Sequence, residues 1–329
     1  MTFVRLALLA LLAGCAPATP EAAPEGPKLS LPIACAIGTS CEVQHYVDRD
    51  AGPGVSDYRC GHRTYDGHNG LDIRLHDLAA MKGGVAVLAA ADGRVARLRD
   101  GMADVSARAA DAPVVAGQEC GNGVVVDHGG GWETQYCHLA RGSVQVKVGE
   151  SVRAGQPIAR VGLSGDTEFP HVHLTVRHEG VVVDPFAPDP YVPVCQGQPG
   201  LWTKAAAAEL AYKPGAVLNV GFTSAAFDMP KLEAGGLTSP DASSPALIAY
   251  ARAIGLAAGD VQELTLTAPD GTVLATQRLA PLERDKAQYM MFVGKKRPAA
   301  GWPPGAYRAA YSVRRKGSVV IERAFSVTL

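Results

Sequence analysis

The chain lacks an excess of charge of either sign. Its 31 lysines and arginines nearly balance 32 aspartates and glutamates, which leaves a formal net charge of −1. Electrostatic binding to nucleic acid or to an anionic membrane surface requires a basic excess, and none is present. The sequence also lacks an apolar run close to the ~20 residues of a mature membrane-spanning helix. We therefore expect no nucleic-acid partner and no spanning helix in a chain of 329 residues, long enough for one large or two ordinary domains.

No Cys-x-x-Cys pair occurs among the seven cysteines, which argues against a cysteine-based zinc site. One of the seven, Cys15, belongs to an N-terminal targeting segment. The remaining six are an even number, which in an exported protein indicates disulfides, although six cysteines allow fifteen pairings. Cys35 with Cys41 would close a small loop, and Cys120 with Cys137 would join the two sides of a predicted hairpin. Cys60 and Cys195 would then form the third pair.

Residues 1–15 have the pattern of a bacterial lipoprotein signal peptide. Arg5 precedes an uninterrupted Leu and Ala run, and Leu-Ala-Gly-Cys then ends at Cys15. Cleavage before Cys15 would leave a lipid-bearing N-terminus that anchors the protein to a membrane. Ala16 after the cysteine favours the outer membrane, facing the periplasm. A secreted protein with an incidental cysteine is the alternative. Residues 16–29 are rich in Pro, Ala and Glu and are expected to be a flexible tether.

Residues 30–198 are predicted to form an all-β domain. Residues 30–66 show no sustained periodicity, whereas from residue 85 short apolar runs alternate with glycines. The glycine and valine pattern of residues 146–162 resembles the barrel-sandwich hybrid of carrier domains and several peptidases, which indicates a fold type and not a function. Residues 99–119 are expected to be an inserted loop, and the expected strands are 85–90, 93–98, 123–127, 133–138, 143–148, 157–161 and 171–177.

Five prolines crowd residues 185–199, which indicates a domain boundary. Residues 201–329 are predicted to form a second, antiparallel β-sandwich of immunoglobulin-like type, with a short helix at residues 245–258. All nine histidines precede residue 179, so this second domain contains no candidate catalytic cluster. Its expected role is to bind a glycan or a protein partner, or to cover one end of a groove.

The candidate site combines histidines from separate segments. His171 and His173 are two residues apart on a predicted strand, so both side chains point to one face. His68 and Asp72 lie about a hundred residues upstream, and Gly70 between them would let the chain turn back on that site. Three protein ligands with one open position form a catalytic zinc site, in which the pKa of bound water falls to about 7.

The block from Gly67 to Pro185 resembles the lysostaphin-type (LytM-type) peptidoglycan zinc endopeptidases. That family has a His-x-x-x-Asp motif, a His-x-His motif and a further histidine in a Tyr-x-His-Leu strand between them, and all three motifs occur here in that order. The resemblance implies that zinc is held by His68, Asp72 and His173. It also implies that the neighbouring His171 is the general base and His138 stabilises the tetrahedral intermediate, with roles that could be exchanged.

The family resemblance implies a zinc-dependent endopeptidase that hydrolyses peptide cross-links of peptidoglycan in the cell envelope. In a diderm host the expected bond joins D-alanine to the side-chain amine of a diamino acid. One alternative is an inactive relative that binds and activates a cell-wall amidase, but such relatives typically lose site residues that are present here. A third alternative is a lipoprotein adaptor of an efflux system. Such adaptors usually contain a long helical hairpin, but this sequence has no heptad run, and an adaptor role would leave the histidines unexplained.

One departure from the family pattern concerns the segment before the His-x-His pair. Glu168-Phe169-Pro170 stands where the family usually has Thr-Gly-Pro, and this change is expected to alter substrate preference at the rim of the cleft. Glu133 and Glu168 are candidate rim contacts. The tryptophans are expected to be packing residues, and five other histidines are expected to be structural: His45, His62, His76, His128 and His178.

Overall fold

The structure is a computed structural model that describes residues 26–110, 112–189, 195 and 198–329. The predicted signal peptide, Cys15 and most of the predicted tether lie outside these residues, as do Pro190 and Pro193 of the proline-rich stretch. Strands form nearly all of the regular structure, so the described protein is all-β, with three helices of five or six residues. None of these helices is long and apolar enough to cross a membrane.

The first part of the chain is organised around an eight-stranded sheet. Its strands follow the order β1-β2-β9-β6-β5-β4-β7, with β10 added alongside β9, while β3 and β8 pair separately. The elements are β1 Cys41–His45, β2 Leu71–Leu75, α1 Leu78–Lys82, β3 Ala86–Leu88, β4 Gly93–Arg99, β5 Asn122–Gly129, β6 Trp132–Leu139, β7 Ser151–Val152, β8 Pro157–Arg160, β9 His171–His178 and β10 Val181–Val183.

The second part consists of two antiparallel sheets, β11-β12-β15 and β14-β13-β16-β17. Both sheets contribute side chains to one shared apolar core, which includes Leu247, Leu264 and Tyr307. The elements are α2 Lys204–Glu209, β11 Ala216–Thr223, α3 Met229–Ala234, β12 Ala246–Leu256, β13 Val261–Thr267, β14 Val273–Arg278, β15 Lys286–Lys296, β16 Ala306–Arg315 and β17 Ser318–Thr328.

The prediction of a helix at residues 245–258 was wrong. The segment forms β12, the central strand between β11 and β15. Its alternate residues Leu247, Ala249, Ala251 and Ala253 are buried, which is the two-residue period of a strand. The high alanine content favoured a helix locally, but hydrogen bonding to a strand on each side outweighs that local preference.

Two strands near the site were missed by the sequence analysis, and one expected strand is absent. β1 lies in the stretch that had no clear period, and β2 follows Gly70 where only a turn was expected. Residues 143–148 form turns and extended backbone instead of the expected strand. All five residues of β1 and all five of β2 are buried, so neither strand shows the polar and apolar alternation of a half-exposed strand.

The core of the first part continues beyond the proline-rich stretch. Leu201, Trp202, Ala206 and Leu210 pack into the same apolar cluster as the eight-stranded sheet. Leu29 also donates its backbone N–H to the Leu201 carbonyl at 2.8 Å. Residues 201–210 therefore share the core of the first part of the chain, and the second domain denotes residues 211–329 below.

Three disulfides join the pairs Cys35–Cys41, Cys60–Cys195 and Cys120–Cys137. The last pair links the end of β6 to the loop before β5, and Cys137 lies opposite His173 in the register of β6 and β9. This disulfide therefore braces the part of the sheet on which the candidate site is built.

Candidate metal centre

Neighbouring strands direct the site residues to one face of the large sheet. In the antiparallel register of β2 and β9, Asp72 lies opposite His173. On the other side of β2, His45 of β1 lies opposite Asp72. His171 and His173 share a face because they are two residues apart on β9. The sheet thus gathers residues that are about a hundred positions apart in the sequence.

His68, Asp72 and His173 bring three candidate metal ligands together, with their ligand atoms all within 4.8 Å of one another. His68 Nε2 lies 3.2 Å from Asp72 Oδ2 and 3.3 Å from His173 Nδ1. His173 Nδ1 lies 2.8 Å from Asp72 Oδ1. Two imidazole nitrogens and a carboxylate leave a fourth position of a tetrahedral site open, as catalytic zinc requires.

The hydrogen bonds on the far side of the imidazoles fit a bound cation. His68 Nδ1 donates to the Tyr46 carbonyl at 2.6 Å, which leaves Nε2 with a lone pair that faces the Asp72 carboxylate. His173 Nε2 lies 3.0 Å from Asn69 Oδ1 and can donate to it, which frees Nδ1. Acceptor atoms that face one another repel unless a proton or a metal ion lies between them. Outer acceptors that orient ligating histidines in this way are a regular feature of metal sites.

Gly70 allows the His68 segment to approach β9. A Cβ atom at this position would lie 2.5 Å from His173 Nε2 and 2.7 Å from the Leu174 carbonyl oxygen. The sequence indicated that this glycine provides flexibility. In the structure, the absence of a side chain at Gly70 leaves room for His173 and the backbone of Leu174.

His138 and His171 lie beside the candidate ligands, with ring centroids 4.6 Å apart. His138 Nδ1 donates to the Ser164 carbonyl at 2.8 Å, and His171 Nδ1 donates to the Phe169 carbonyl at 3.0 Å. Each Nε2 is therefore an acceptor in the resting tautomer. His138 has a positive φ of 60°, an uncommon conformation for a residue with a side chain, which is often found at functional positions.

These two histidines and His173 form a second possible metal group, also within 4.8 Å. This second group lacks a carboxylate. The first group contains Asp72, which is 3% exposed and carries the negative charge that a buried dication needs nearby. We therefore favour His68, Asp72 and His173 as the ligand set.

The protonation states of the site are set by burial and by the charge of Asp72. Burial lowers the pKa of His68, but the Asp72 carboxylate outweighs burial and raises it, so metal binding at His68 would release a proton. Burial alone would raise the pKa of Asp72, but His68 and His171 beside it outweigh burial and hold that pKa well below its usual value. Burial lowers the pKa of His173, and burial together with His171 lowers that of His138 much further. Asp72 is therefore ionised, and His138 and His173 are neutral near pH 7, as metal ligands and proton acceptors require.

His45 belongs to the site, although the sequence analysis grouped it with the structural histidines. Its Nδ1 donates to Asp72 Oδ2 at 3.0 Å. Tyr65 was not considered and lies at the same place, with its ring 4.5 Å from that of His68 and its side chain 52% exposed. Both residues lie in a stretch without clear periodicity, so the sequence did not indicate that they belong to the site. Only the pairing of β1 with β2 brings His45 to Asp72.

The other four structural histidines lie away from the site. His62 pairs with Asp285, His128 lies 2.8 Å from Thr134 Oγ1, and His178 stacks on Trp132. The carbonyl of His76 accepts a hydrogen bond from Arg252. The candidate rim residues both form ion pairs, Glu133 with Arg97 and Glu168 with Arg108. All three tryptophans are buried, at 6–7% exposure, as expected for packing residues.

Comparison with known proteins finds a family match over the residues that contain this site. Residues 66–185 match Peptidase family M23. These residues contain all five candidate site residues of the sequence analysis. We call residues 66–185 the M23 domain after this match. The M23 domain begins after β1, so His45 and Tyr65 lie outside the matched residues.

The curated relatives of the M23 domain carry different descriptions. The cell division protein DipM of Caulobacter vibrioides is 32% identical over 124 residues, 37% of this chain and 16% of its own length. The murein hydrolase activator EnvC of Escherichia coli is 45% identical over 62 residues, 19% of this chain and 14% of its own. The peptidoglycan DD-endopeptidase ShyB of Vibrio cholerae is 36% identical over 69 residues, 21% of this chain and 16% of its own length. The chain thus spans less than a fifth of each.

Solved structures of M23 proteins are also similar to the first part of the chain. The catalytic domain of EnpA from Enterococcus faecalis, as an A109H mutant, is 19% identical with a TM-score of 0.32, and the match covers 49% of this chain and 94% of that one. The catalytic domain of lysostaphin from Staphylococcus simulans is 21% identical with a TM-score of 0.29, covering 43% and 85%.

Proposed function

We propose that this protein is a zinc-dependent endopeptidase that hydrolyses peptide cross-links of peptidoglycan. The observation that carries the proposal is the convergence of His68, Asp72 and His173 within 4.8 Å, with His138 and His171 next to them. An M23 domain that had lost activity would have no need to retain both the metal ligands and the two proton-transfer groups.

His68, Asp72 and His173 would hold the zinc ion. When bound, zinc acts as a Lewis acid and lowers the pKa of water toward 7. His171 places its Nε2 3.3 Å from Asp72 Oδ1 while its Nδ1 is bound to the Phe169 carbonyl, and this Nε2 would accept the proton of the attacking water. The imidazolium formed can then donate that proton to the leaving amine.

His138 shares this arrangement, because its Nε2 is also an acceptor while Nδ1 is bound to the Ser164 carbonyl. In this tautomer His138 can accept a proton but cannot donate one to an oxyanion. Stabilisation of the tetrahedral intermediate by His138 therefore requires that the proton taken from water pass from His171 to His138. His138, in place of His171, would then donate that one proton to the leaving amine. The roles of the two histidines are thus coupled.

The bond class is supported by one relative. ShyB is described as a peptidoglycan DD-endopeptidase, and we propose the same class of substrate here, the D-alanyl cross-link between stem peptides. The lipobox that ends at Cys15 supports a lipid-anchored location at the outer membrane, facing the periplasm, where this substrate lies. We further propose a barrel-sandwich-hybrid-like M23 domain and an immunoglobulin-like topology for the two C-terminal sheets.

A second candidate function is activation of a cell-wall amidase. The relative EnvC is described as a murein hydrolase activator and shares 45% identity over 62 residues, which favours this alternative. The complete set of metal ligands and proton-transfer histidines favours hydrolysis, since an activator needs neither.

The deciding experiment incubates the purified protein with purified peptidoglycan, with and without a chelator, and identifies the released fragments by mass spectrometry. We expect cross-linked dimers to become monomers only without chelator, and the fragment masses identify the bond. Intact cross-links together with stimulation of an added amidase would instead establish the activator.

Two substitutions separate metal binding from catalysis. His173→Ala should lose both zinc and turnover, whereas His171→Ala should retain zinc and lose at least 100-fold in kcat, within the range for a general base. Zinc content and kcat are measured on the same samples. His178→Ala is the control on the same strand, because His178 stacks on Trp132 away from the site. Wild-type turnover of His171→Ala would show that the base assignment is wrong.

A further inference from the structure

Phe169 lies two residues before His171, and its ring contacts two residues of different character. The ring is 5.0 Å from the ring of His171, centroid to centroid. On another side, the guanidinium carbon of Arg74 lies 4.0 Å from the centroid of Phe169. This is a cation–π contact within the usual ~6 Å limit. Phe169 therefore connects Arg74 to the candidate general base.

Phe169 also contacts His171 through its backbone. Its carbonyl accepts from His171 Nδ1 at 3.0 Å, the hydrogen bond that leaves Nε2 free to accept a proton. Thr167 Oγ1 donates to the same carbonyl at 2.9 Å. A shift of residue 169 would change both the tautomer and the direction of the His171 ring, since the ring and the carbonyl move together.

Arg74 is held from the second domain. It lies on β2 directly opposite His171 in the register of β2 and β9, and it is fully buried. Its Nη2 donates to Glu233 Oε2 at 2.7 Å, and its Nη1 donates to Gln288 Oε1 at 3.1 Å. Glu233 is on α3 and Gln288 is on β15, both beyond the M23 domain.

We propose that Glu233 and Gln288 of the second domain position His171 through Arg74 and Phe169. These four are positioning residues, because none of them reaches the candidate ligand atoms. The inference rests on the proposed function, and it assigns the C-terminal sheets a part in catalysis. A glycine at position 169 would offer Arg74 no ring to contact.

A merely structural interface is the competing explanation, and another interdomain contact provides the control. His62 Nδ1 pairs with Asp285 Oδ2 at 2.6 Å and also joins the first part of the chain to the second. This pair does not contact Phe169. Removing either contact should weaken the interface between the two domains. Only removal of the contacts of Arg74 should also affect His171.

The test is a double-mutant cycle between Glu233→Gln and Phe169→Gly in the full chain, with a cross-linked dimeric peptidoglycan fragment as substrate. We expect each single variant to lose about 10-fold or more in kcat, because small misplacements of a catalytic group have large effects. KM and zinc content should stay within about twofold of wild type. The double variant should be no slower than Phe169→Gly alone, and Asp285→Asn should keep wild-type kcat.

A second measurement is independent of turnover. With 15N-labelled histidine, the His171 ring signals, assigned by their loss in His171→Gln, should shift in Glu233→Gln and Phe169→Gly and not in Asp285→Asn. Gln288→Ala, which removes a weaker contact, replaces Glu233→Gln if that variant does not fold. The inference would be overturned if the loss of kcat in the double variant equalled the product of the two single losses. An unchanged His171 signal in Glu233→Gln would also overturn it. A wild-type protein without cleavage would refute the proposed function while the His171 signals still decide this inference.

Discussion

At the scale of the residue, one carboxylate organises the candidate site. Asp72 lies within 3.3 Å of nitrogens from four histidines, His45, His68, His171 and His173. A buried carboxylate is costly unless it is compensated by a cation or by donated hydrogens. Each neighbour of Asp72 is therefore expected to affect metal affinity, including those that do not bind the metal themselves.

His45→Ala should weaken zinc binding without abolishing it. His45 Nδ1 donates to Asp72 Oδ2 at 3.0 Å, and loss of such an outer hydrogen bond typically costs about 10–100-fold in metal affinity. Competition with a chromophoric chelator measures the zinc Kd. His62→Ala, which removes an exposed histidine, should leave the Kd unchanged. An unchanged Kd for His45→Ala would show that the hydrogen bond does not support the ligand.

Asp184 gives a pH dependence of stability that is separate from the metal site. Burial raises the pKa of Asp184 from 3.8 to about 6. The folded state therefore holds this proton up to a higher pH than the unfolded state, so the contribution of Asp184 to stability is lost as the pH rises from about 4 to above 6. The full difference corresponds to roughly 3 kcal/mol.

Asp184→Asn removes this titration and should improve in stability relative to wild type as the pH rises from 4 to 8. Urea unfolding of both proteins at several pH values measures the change. A constant difference between the two proteins across this range would contradict the raised pKa.

At the scale of the element, close contact between the His68 segment and β9 depends on a missing side chain. Gly70→Ala would place a Cβ atom 2.5 Å from His173 Nε2. The backbone of one segment must then move, at a cost of about 1–3 kcal/mol for overpacking. Zinc affinity should fall with stability. Gly67→Ala is the control, because no atom lies within 4 Å of its Cβ position and only the strain of its positive φ is added. Equal effects of the two substitutions would show that steric contact with His173 is unimportant.

Fully buried strands and an alanine-rich strand were the hardest elements to predict. β1 and β2 are buried along their whole length, so their residues show no alternation that would distinguish a strand from a loop. β12 was predicted as a helix because its many alanines match a helical preference, and only its two neighbouring strands decide its conformation. In contrast, β5, β6 and β9 were predicted within a few residues, since turn glycines and β-branched residues mark them clearly.

At the scale of the whole molecule, a buried network of three charged residues joins the two domains. Arg74 and Arg252 are both fully buried and share the carboxylate of Glu233, whose side chain is 17% exposed. Arg252 also donates to the His76 carbonyl across the boundary. Burial lowers the pKa of Arg74 to about 9 despite the nearby Glu233. Because two buried guanidinium groups share one carboxylate, Glu233 is the residue on which the charge balance of the network depends.

Glu233→Gln should therefore destabilise the protein more than Arg252→Met. The first substitution leaves two buried guanidinium groups without a carboxylate, which costs about 3–5 kcal/mol for a broken buried pair. The second leaves Arg74 and Glu233 balanced. Equilibrium urea unfolding compares the two variants, and a smaller loss for Glu233→Gln would contradict the charge count.

The sequence by itself determined which residues form the candidate site. Spacing and order of His68, Asp72, His138, His171 and His173 identified the candidate ligands and proton-transfer groups, because ligand chemistry depends on residue type and on the two-residue period of a strand. Tertiary structure alone decided the rest. His45 reaches Asp72 only through the pairing of β1 with β2, and Glu233 reaches Arg74 across 159 residues. Such contacts depend on how strands and domains pack, and no local pattern in the sequence records a partner so far along the chain.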